Sequence, residues 1–174
     1  MPLPQSYPLA DSRLIAGEYP GLPPNAPHAA DKLGALLDAG VTAFIDLTEP
    51  GELAPYAESL AALASERNVE VFYERHAIRD FSINSPDAMT RTLDAIDAHH
   101  AAGRNVYVHC WGGIGRTGMT VGCWLVRHGS TPGDALATVD AGFSSMPKRA
   151  RMPGRTSPEA AERIRVVREW EAGK

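Results

Sequence analysis

Residues 105–129, NVYVHCWGGIGRTGMTVGCWLVRHG, constrain the fold more than any other stretch of the chain. NVYVHC (105–110) is apolar and rich in β-forming types, and reads as a buried strand. GRTGMTVGCWLVRHG (115–129) reads as a helix. A strand that runs through a glycine-rich turn straight into a helix is a building unit of α/β sheets. The rest of the chain repeats the alternation. RLIAGEYPG (13–21) reads as a short strand ended by Pro-Gly. APHAADKLGALLDAG (26–40) is helical by the spacing of Leu33, Leu36 and Leu37, with Gly40 as its stop. VTAFIDL (41–47) is a buried strand, PYAESLAALASER (55–67) a helix and VEVFYERH (69–76) another strand. After a polar loop at 77–85, three helices open on Ser-Pro or Thr-Pro, at Ser85, Thr131 and Ser157. The expected architecture is α/β: a single domain over 1–174, with a central, mostly parallel sheet of about four to five strands covered on both faces by helices. Residues 1–12, with three prolines, read as a loosely ordered arm.

Composition sets the outer limits. Hydrophobic residues make up 44% of the 174 and charged residues 22%, which supports a packed core rather than disorder. The net charge of -4 argues against a nucleic-acid partner. Two cysteines, Cys110 and Cys123, are too few for a disulfide scaffold, and no paired Cys/His spacing suggests zinc. No N-terminal signal segment and no apolar run of roughly 20 residues stand out. The expectation is a soluble, cytoplasmic protein with reduced thiols, no metal, no cofactor and no membrane partner. One local exception to the acidic balance is 148–155, where Lys148, Arg149, Arg151 and Arg155 occur without an acid.

The turn at 110–116 has the chemistry of an anion site. Successive N–H groups of a glycine-rich turn converge on one centre, and the helix that follows adds its positive end. Gly112, Gly113 and Gly115 leave the backbone open to a ligand. A dinucleotide or Walker-type loop is poorly supported, because Gly-Lys-Ser/Thr is absent and the spacing differs. Cys110 begins the turn, where the positive field favours the thiolate, a nucleophile toward a bound phosphoryl group. Arg116 supplies a planar fork for two phosphate oxygens and for charge in the transition state. Thr117 offers a hydroxyl to the thiolate, and His109 is placed to brace the turn.

His-Cys, five residues, Arg, Thr resembles the signature of the cysteine-dependent protein tyrosine phosphatase superfamily, and the layout is similar to its compact dual-specificity-like members. LIAGEYPG, FIDLTE, IRDFS and the final Ser-Pro-Glu support the likeness over most of the chain. The resemblance implies the phosphatase fold and a metal-independent reaction through a phosphocysteine on Cys110. It implies phosphate binding by Trp111, Gly112, Gly113, Ile114, Gly115 and Arg116. It also implies an aspartate acid and base on a loop upstream, which Asp80 matches. The expected substrate is a phosphorylated protein or small phosphomonoester, with phosphotyrosine foremost and phosphoserine or phosphothreonine open. The chain departs from the larger tyrosine phosphatases: Ile78-Arg79-Asp80 stands where they have Trp-Pro-Asp, and no downstream glutamine positions water. The uncharged residues 111–115 point away from a highly anionic inositol lipid.

Competing readings accompany these. Cys110 as a plain buried thiol or a sulfur-transfer site leaves Arg116 and Asp80 unexplained. A phosphate-binding pseudo-phosphatase has no use for a leaving-group acid. Asp46 and Glu49 are the alternative acids, Asp46 more suited to holding a loop. Cys123, about 12 Å along the helix from Gly115, is too far for a disulfide and reads as core. His99 and His100 suit a helix end better than a metal. Arg79 faces substrate or solvent, Trp111 walls the pocket or joins the core, and 148–155 is a solvated loop or an attractor of phosphorylated partners.

Overall fold

The computed structural model describes residues 5–10, 12–21 and 29–174. Five strands form one sheet: β1 (Ser6–Pro8), β2 (Leu14–Gly17), β3 (Val41–Asp46), β4 (Phe72–Arg75) and β5 (Asn105–His109), in the spatial order β1-β2-β5-β3-β4. All neighbours are parallel except β1, which runs antiparallel to β2 at one edge. The 1–12 arm is therefore partly sheet. Pro8 is compatible with this because an edge strand need not donate outward.

Among the described residues, six helices cover the sheet: α1 (Ala29–Asp38), α2 (Ala57–Glu66), α3 (Pro86–Ala101), α4 (Gly115–Arg127), α5 (Pro132–Ser144) and α6 (Ala161–Glu169). The first residues of the helix expected over 26–40, 26–28, lie outside the described residues. Ser85 and Thr131 cap α3 and α5, accepting from the amides of Ala88 and Asp134 with Pro86 and Pro132 in the first turn. Ser157 does not cap a helix. It follows a 3₁₀ turn at Pro147–Arg151, the Ser157–Pro158 peptide is cis, and α6 starts only at Ala161. The Ser157 hydroxyl is used elsewhere, donating to the Ile114 carbonyl at 2.8 Å.

Alternation along the strands splits the core. Val106 and Val108 of β5, with Ala43 and Ile45 of β3, face one cluster that contains Leu93, Met119, Val139 and Val167 from α3 to α6. Tyr107 and Phe44 face the other, with Leu33 and Leu36 of α1 and Leu60 of α2. Cys123 lies in the first cluster as a free thiol, and burial pushes its pKa up to about 12. The helices that follow neighbouring β3 and β5 thus pack on opposite faces. A crevice opens at the C-terminal ends of such a strand pair, and this is where open α/β sheets bind ligands. Cys110 follows β5 directly at that edge.

Candidate functional site

The turn from Cys110 to Arg116 is held open from behind. The carbonyl of Cys110 faces His109 Nδ1 at 3.3 Å, and that of Trp111 accepts from the Tyr19 amide at 2.9 Å. The Gly112 carbonyl accepts from Lys148 Nζ. The Ile114 carbonyl accepts from Ser157 and from the Gly118 amide. Among the described residues, no backbone or side-chain acceptor meets the amides of 111–116. With the carbonyls engaged outward, these donors are available to an anion, backed by the positive end of α4. Gly113 is required twice over. Its φ is +66°, and a Cβ there would lie 2.4 Å from the carbonyl of Gly17 on β2.

His109 is fully buried, and burial pushes its pKa down to about 4, so the ring is neutral at ordinary pH. A neutral ring that donates from Nδ1 to the Cys110 carbonyl leaves Nε2 to accept from the Tyr56 hydroxyl, 2.7 Å away. Tyr56 itself keeps its proton, because burial raises it well above the ordinary phenol. Thr117 is buried, and its hydroxyl has no hydrogen-bond partner among the described residues, so the expected contact with the thiol is not made.

Arg116 lies almost wholly buried, 2% exposed. Its Nη1 and Nη2 clasp both oxygens of Glu52 at 2.7 and 2.6 Å, and Nη1 also donates to the Ile78 carbonyl at 3.1 Å. This hydrogen-bonded pairing holds the Glu52 carboxyl below its ordinary range. The guanidinium is thereby fixed in orientation, with Nε turned toward Asp80 Oδ1 at 3.5 Å. Asp80 sits on the loop after β4 and lines one cleft of about 290 Å³ with Cys110, Arg116 and residues 111, 112, 114 and 115. Trp111, 60% exposed, and Phe81, 87% exposed, form the rim of that cleft.

The other candidates fall away from it. Arg79 is exposed and does not line the cleft. Asp46 is fully buried, and its oxygens are taken by Thr48, Tyr73 and Arg75. Burial alone would raise its pKa; His109 and these hydrogen bonds more than offset that and lower it. Glu49 does not line the cleft. His99 is bound to Glu74 at 2.8 Å, and His100 packs against Trp124. Among the described residues, no group of three or more His, Cys, Asp or Glu is placed to hold a metal ion. Among them too, no helix is long and apolar enough to cross a membrane.

Glu52 and Arg163 escaped the sequence reading, and Lys148 and Ser157, noted there as part of a basic stretch and as a helix start, support the turn instead. Glu52 carried a local clue, since it follows a buried strand in TEPGE close to Asp46. Arg163, from α6, lines the cleft beside Asp80, with Nη2 at 3.7 Å from Oδ1. Of the basic stretch, Lys148 and Arg155 line the cleft. Arg151 is exposed, and Arg149 lies over the Phe143 ring.

Comparison with known proteins bears on the fold and the family. The family model Tc-R-P, described as the DSP-PTPase phosphatase of polymorphic toxin systems, matches residues 20–130. Tk-PTP in its active form is 27% identical over 97% of each chain, with a TM-score of 0.67. PTPMT1 is 18% identical, over 95% of this chain and 92% of its own, with a TM-score of 0.68. The human tyrosine phosphatase-like serine/threonine/tyrosine-interacting protein is 20% identical, over 98% and 93%, with a TM-score of 0.63. The last two share the fold.

Proposed function

The chain belongs to the DSP-PTPase phosphatases of the Tc-R-P family, and on that premise we propose that it hydrolyses phosphomonoesters through a covalent phosphocysteine. In the first step the Cys110 thiolate attacks phosphorus while the amides of 111–116 and Arg116 hold the non-bridging oxygens. The ester P–O bond breaks, and Asp80 gives its proton to the leaving oxygen. In the second step water attacks the phosphocysteine and Asp80 takes its proton. The S–P bond breaks, returning the thiolate and releasing inorganic phosphate. A bound phosphate also draws on Arg116 Nε, which lies 3.5 Å from Asp80 Oδ1, so the acid stands beside the group it serves.

The observation that carries this reading is the meeting of Cys110, Arg116 and Asp80 in one cleft over a turn whose carbonyls are engaged outward. Among phosphorylated proteins, the rim aromatics Phe81 and Trp111 favour phosphotyrosine over phosphoserine or phosphothreonine. The test is turnover of p-nitrophenyl phosphate, with EDTA present. The wild type should be active, and a phosphoryl group should be trapped on Cys110 in acid-quenched protein by mass spectrometry. Cys110→Ser should be inactive while still binding phosphate. Turnover that survives in Cys110→Ser sinks the proposal. An inactive wild type that binds vanadate tightly makes the protein a phosphate-binding module instead.

A further inference from the structure

Among the described residues four cations line the cleft, and three are closely paired with a carboxylate. Arg116 is clasped by Glu52, Lys148 Nζ lies 3.2 Å from Glu18 Oε2, and Arg155 Nε lies 3.1 Å from Glu159 Oε2. Arg163 differs. It is 2% exposed, its Nε donates to the Ser82 carbonyl at 3.2 Å, and its Nη2 makes no hydrogen bond. The nearest carboxylate oxygen to Nη2, on Asp80, is 3.7 Å away. That is ion-pair range but no hydrogen bond; a buried N–H without an acceptor is costly, and an anion in the cleft that accepts from Nη2 lowers that cost.

Its position gives the ligand's shape. A Cβ on Gly115 would lie 2.0 Å from Arg163 Nη1, so the guanidinium rests directly against the last glycine of the phosphate turn. Arg116 is the next residue, and its side chain reaches the cleft from the β3 side. Two guanidinia therefore flank the start of α4, one held by Glu52 and one with an open Nη2. The half-exposed Arg155 stands near Arg163 at the rim. The cleft of about 290 Å³ is at the small end for ligand pockets and suits a compact molecule.

We infer that Arg163, assisted by Arg155, forms a second anion subsite beside the reacting phosphate, and that the substrate class is a compact molecule with two phosphoryl groups on neighbouring atoms. Which phosphoryl group reacts rests on the phosphatase reading above; the binding of two does not. The second charge is met by α6 and the 148–155 segment rather than by residues 111–115, which explains how an uncharged turn serves a doubly charged substrate. Arg163 is also placed to tie the Asp80 loop to α6 through Ser82, and that purely structural role predicts different results.

The test is calorimetric binding of ethylphosphonate and 1,2-ethylenebisphosphonate, whose P–C bonds resist hydrolysis, so turnover does not enter. The wild type should prefer the bisphosphonate by about tenfold or more. Arg163→Gln should reduce that preference to within about threefold, and Arg155→Gln should reduce it less. Arg168→Gln, an equal charge loss at an exposed position of the same helix outside the cleft, should keep the preference. Thermal unfolding reports whether each variant folds. If Arg163→Gln does not, the wild-type preference and Arg155→Gln decide. The inference is overturned by equal affinities in the wild type, by a preference that survives in every folded cleft variant, or by an equal fall in Arg168→Gln. A peptide carrying the non-hydrolysable phosphonomethyl analogue of phosphotyrosine that binds tighter than the bisphosphonate also overturns it, assigning the cleft to its aromatic rim. A bisphosphonate preference without p-nitrophenyl phosphate turnover defeats the phosphatase reading alone; turnover without the preference defeats the subsite alone.

Discussion

The turn at 110–116 and the loop at 77–84 face each other across one cleft and are built on opposite plans. The turn is tied down from behind: the Tyr19 amide, a histidine, a lysine and a serine hold its carbonyls, and Gly113 is wedged against β2. The loop is tied mainly through two arginine side chains, which also lie within ion-pair distance of Asp80. The Ile78 amide donates to Leu47, the Ile78 carbonyl accepts from Arg116, and the Ser82 carbonyl accepts from Arg163. Asp80 itself is 37% exposed at the side chain, and Phe81 next to it has φ +55° and is almost fully exposed. A left-handed φ at a non-glycine residue stores strain of roughly 1–3 kcal/mol and is characteristic of functional segments. The contrast teaches a division of labour: anion binding is preorganised in the turn, while the acid is presented on a segment that the two arginines anchor.

The most damaging way to break that division is on the rigid side. Gly113→Ala puts a methyl group into the Gly17 backbone at a φ that alanine avoids, so the turn itself must move. Turnover should fall below detection, and vanadate affinity should weaken by about a hundredfold or more, read by calorimetry. Affinity within a few-fold of wild type would mean that the turn is not the rigid partner.

Asp80→Asn should sharpen the comparison from the other side. kcat should drop by roughly 10²–10⁴ while vanadate affinity stays within about threefold, because the cradle is elsewhere. If binding collapses together with kcat, Asp80 is structural and the two regions are one.

The smallest effect concerns acid stability and belongs to the cradle. His109 titrates near 6.5 in an unfolded chain and near 4 in the fold, because burial disfavours its charge. The unfolded state therefore binds the proton first. Stability is constant above about pH 6.5 on this account and falls as pH drops toward 4, by at most about 3 kcal/mol. His100, also pushed down by burial, adds in the same direction. Chemical unfolding of the wild type and His109→Asn over this range should show a shallower acid fall in the variant. An identical fall would place the acid sensitivity outside the cradle.

Most of the strand and helix order was legible because each element carries its own period and its own stop signals. The misreadings have physical causes. β1 is three residues with a proline, and only pairing with β2 at the sheet edge makes it a strand. Ser157-Pro158 has the sequence of a helix start, like Ser85-Pro86 and Thr131-Pro132. The Ile114 carbonyl outcompetes the cap for that hydroxyl, and the Asp140 carboxylate takes the Ser157 amide.

By itself the sequence determined what lies within a few covalent bonds: a cysteine at a strand end, a glycine turn with the φ and clearance an anion needs, and an arginine six residues on at the helix start. Those relations follow from backbone geometry and hold wherever the segment sits. Tertiary structure alone decided which distant groups meet there. Glu52 is 64 residues from the arginine it clasps, Lys148 is 36 from the Gly112 carbonyl, and Arg163 is 81 from Ser82. Insertion of β5 between β2 and β3, with the following helices on opposite faces, brings them to one edge. That order is set by burial of two apolar faces over the whole chain, which no short window of sequence reports.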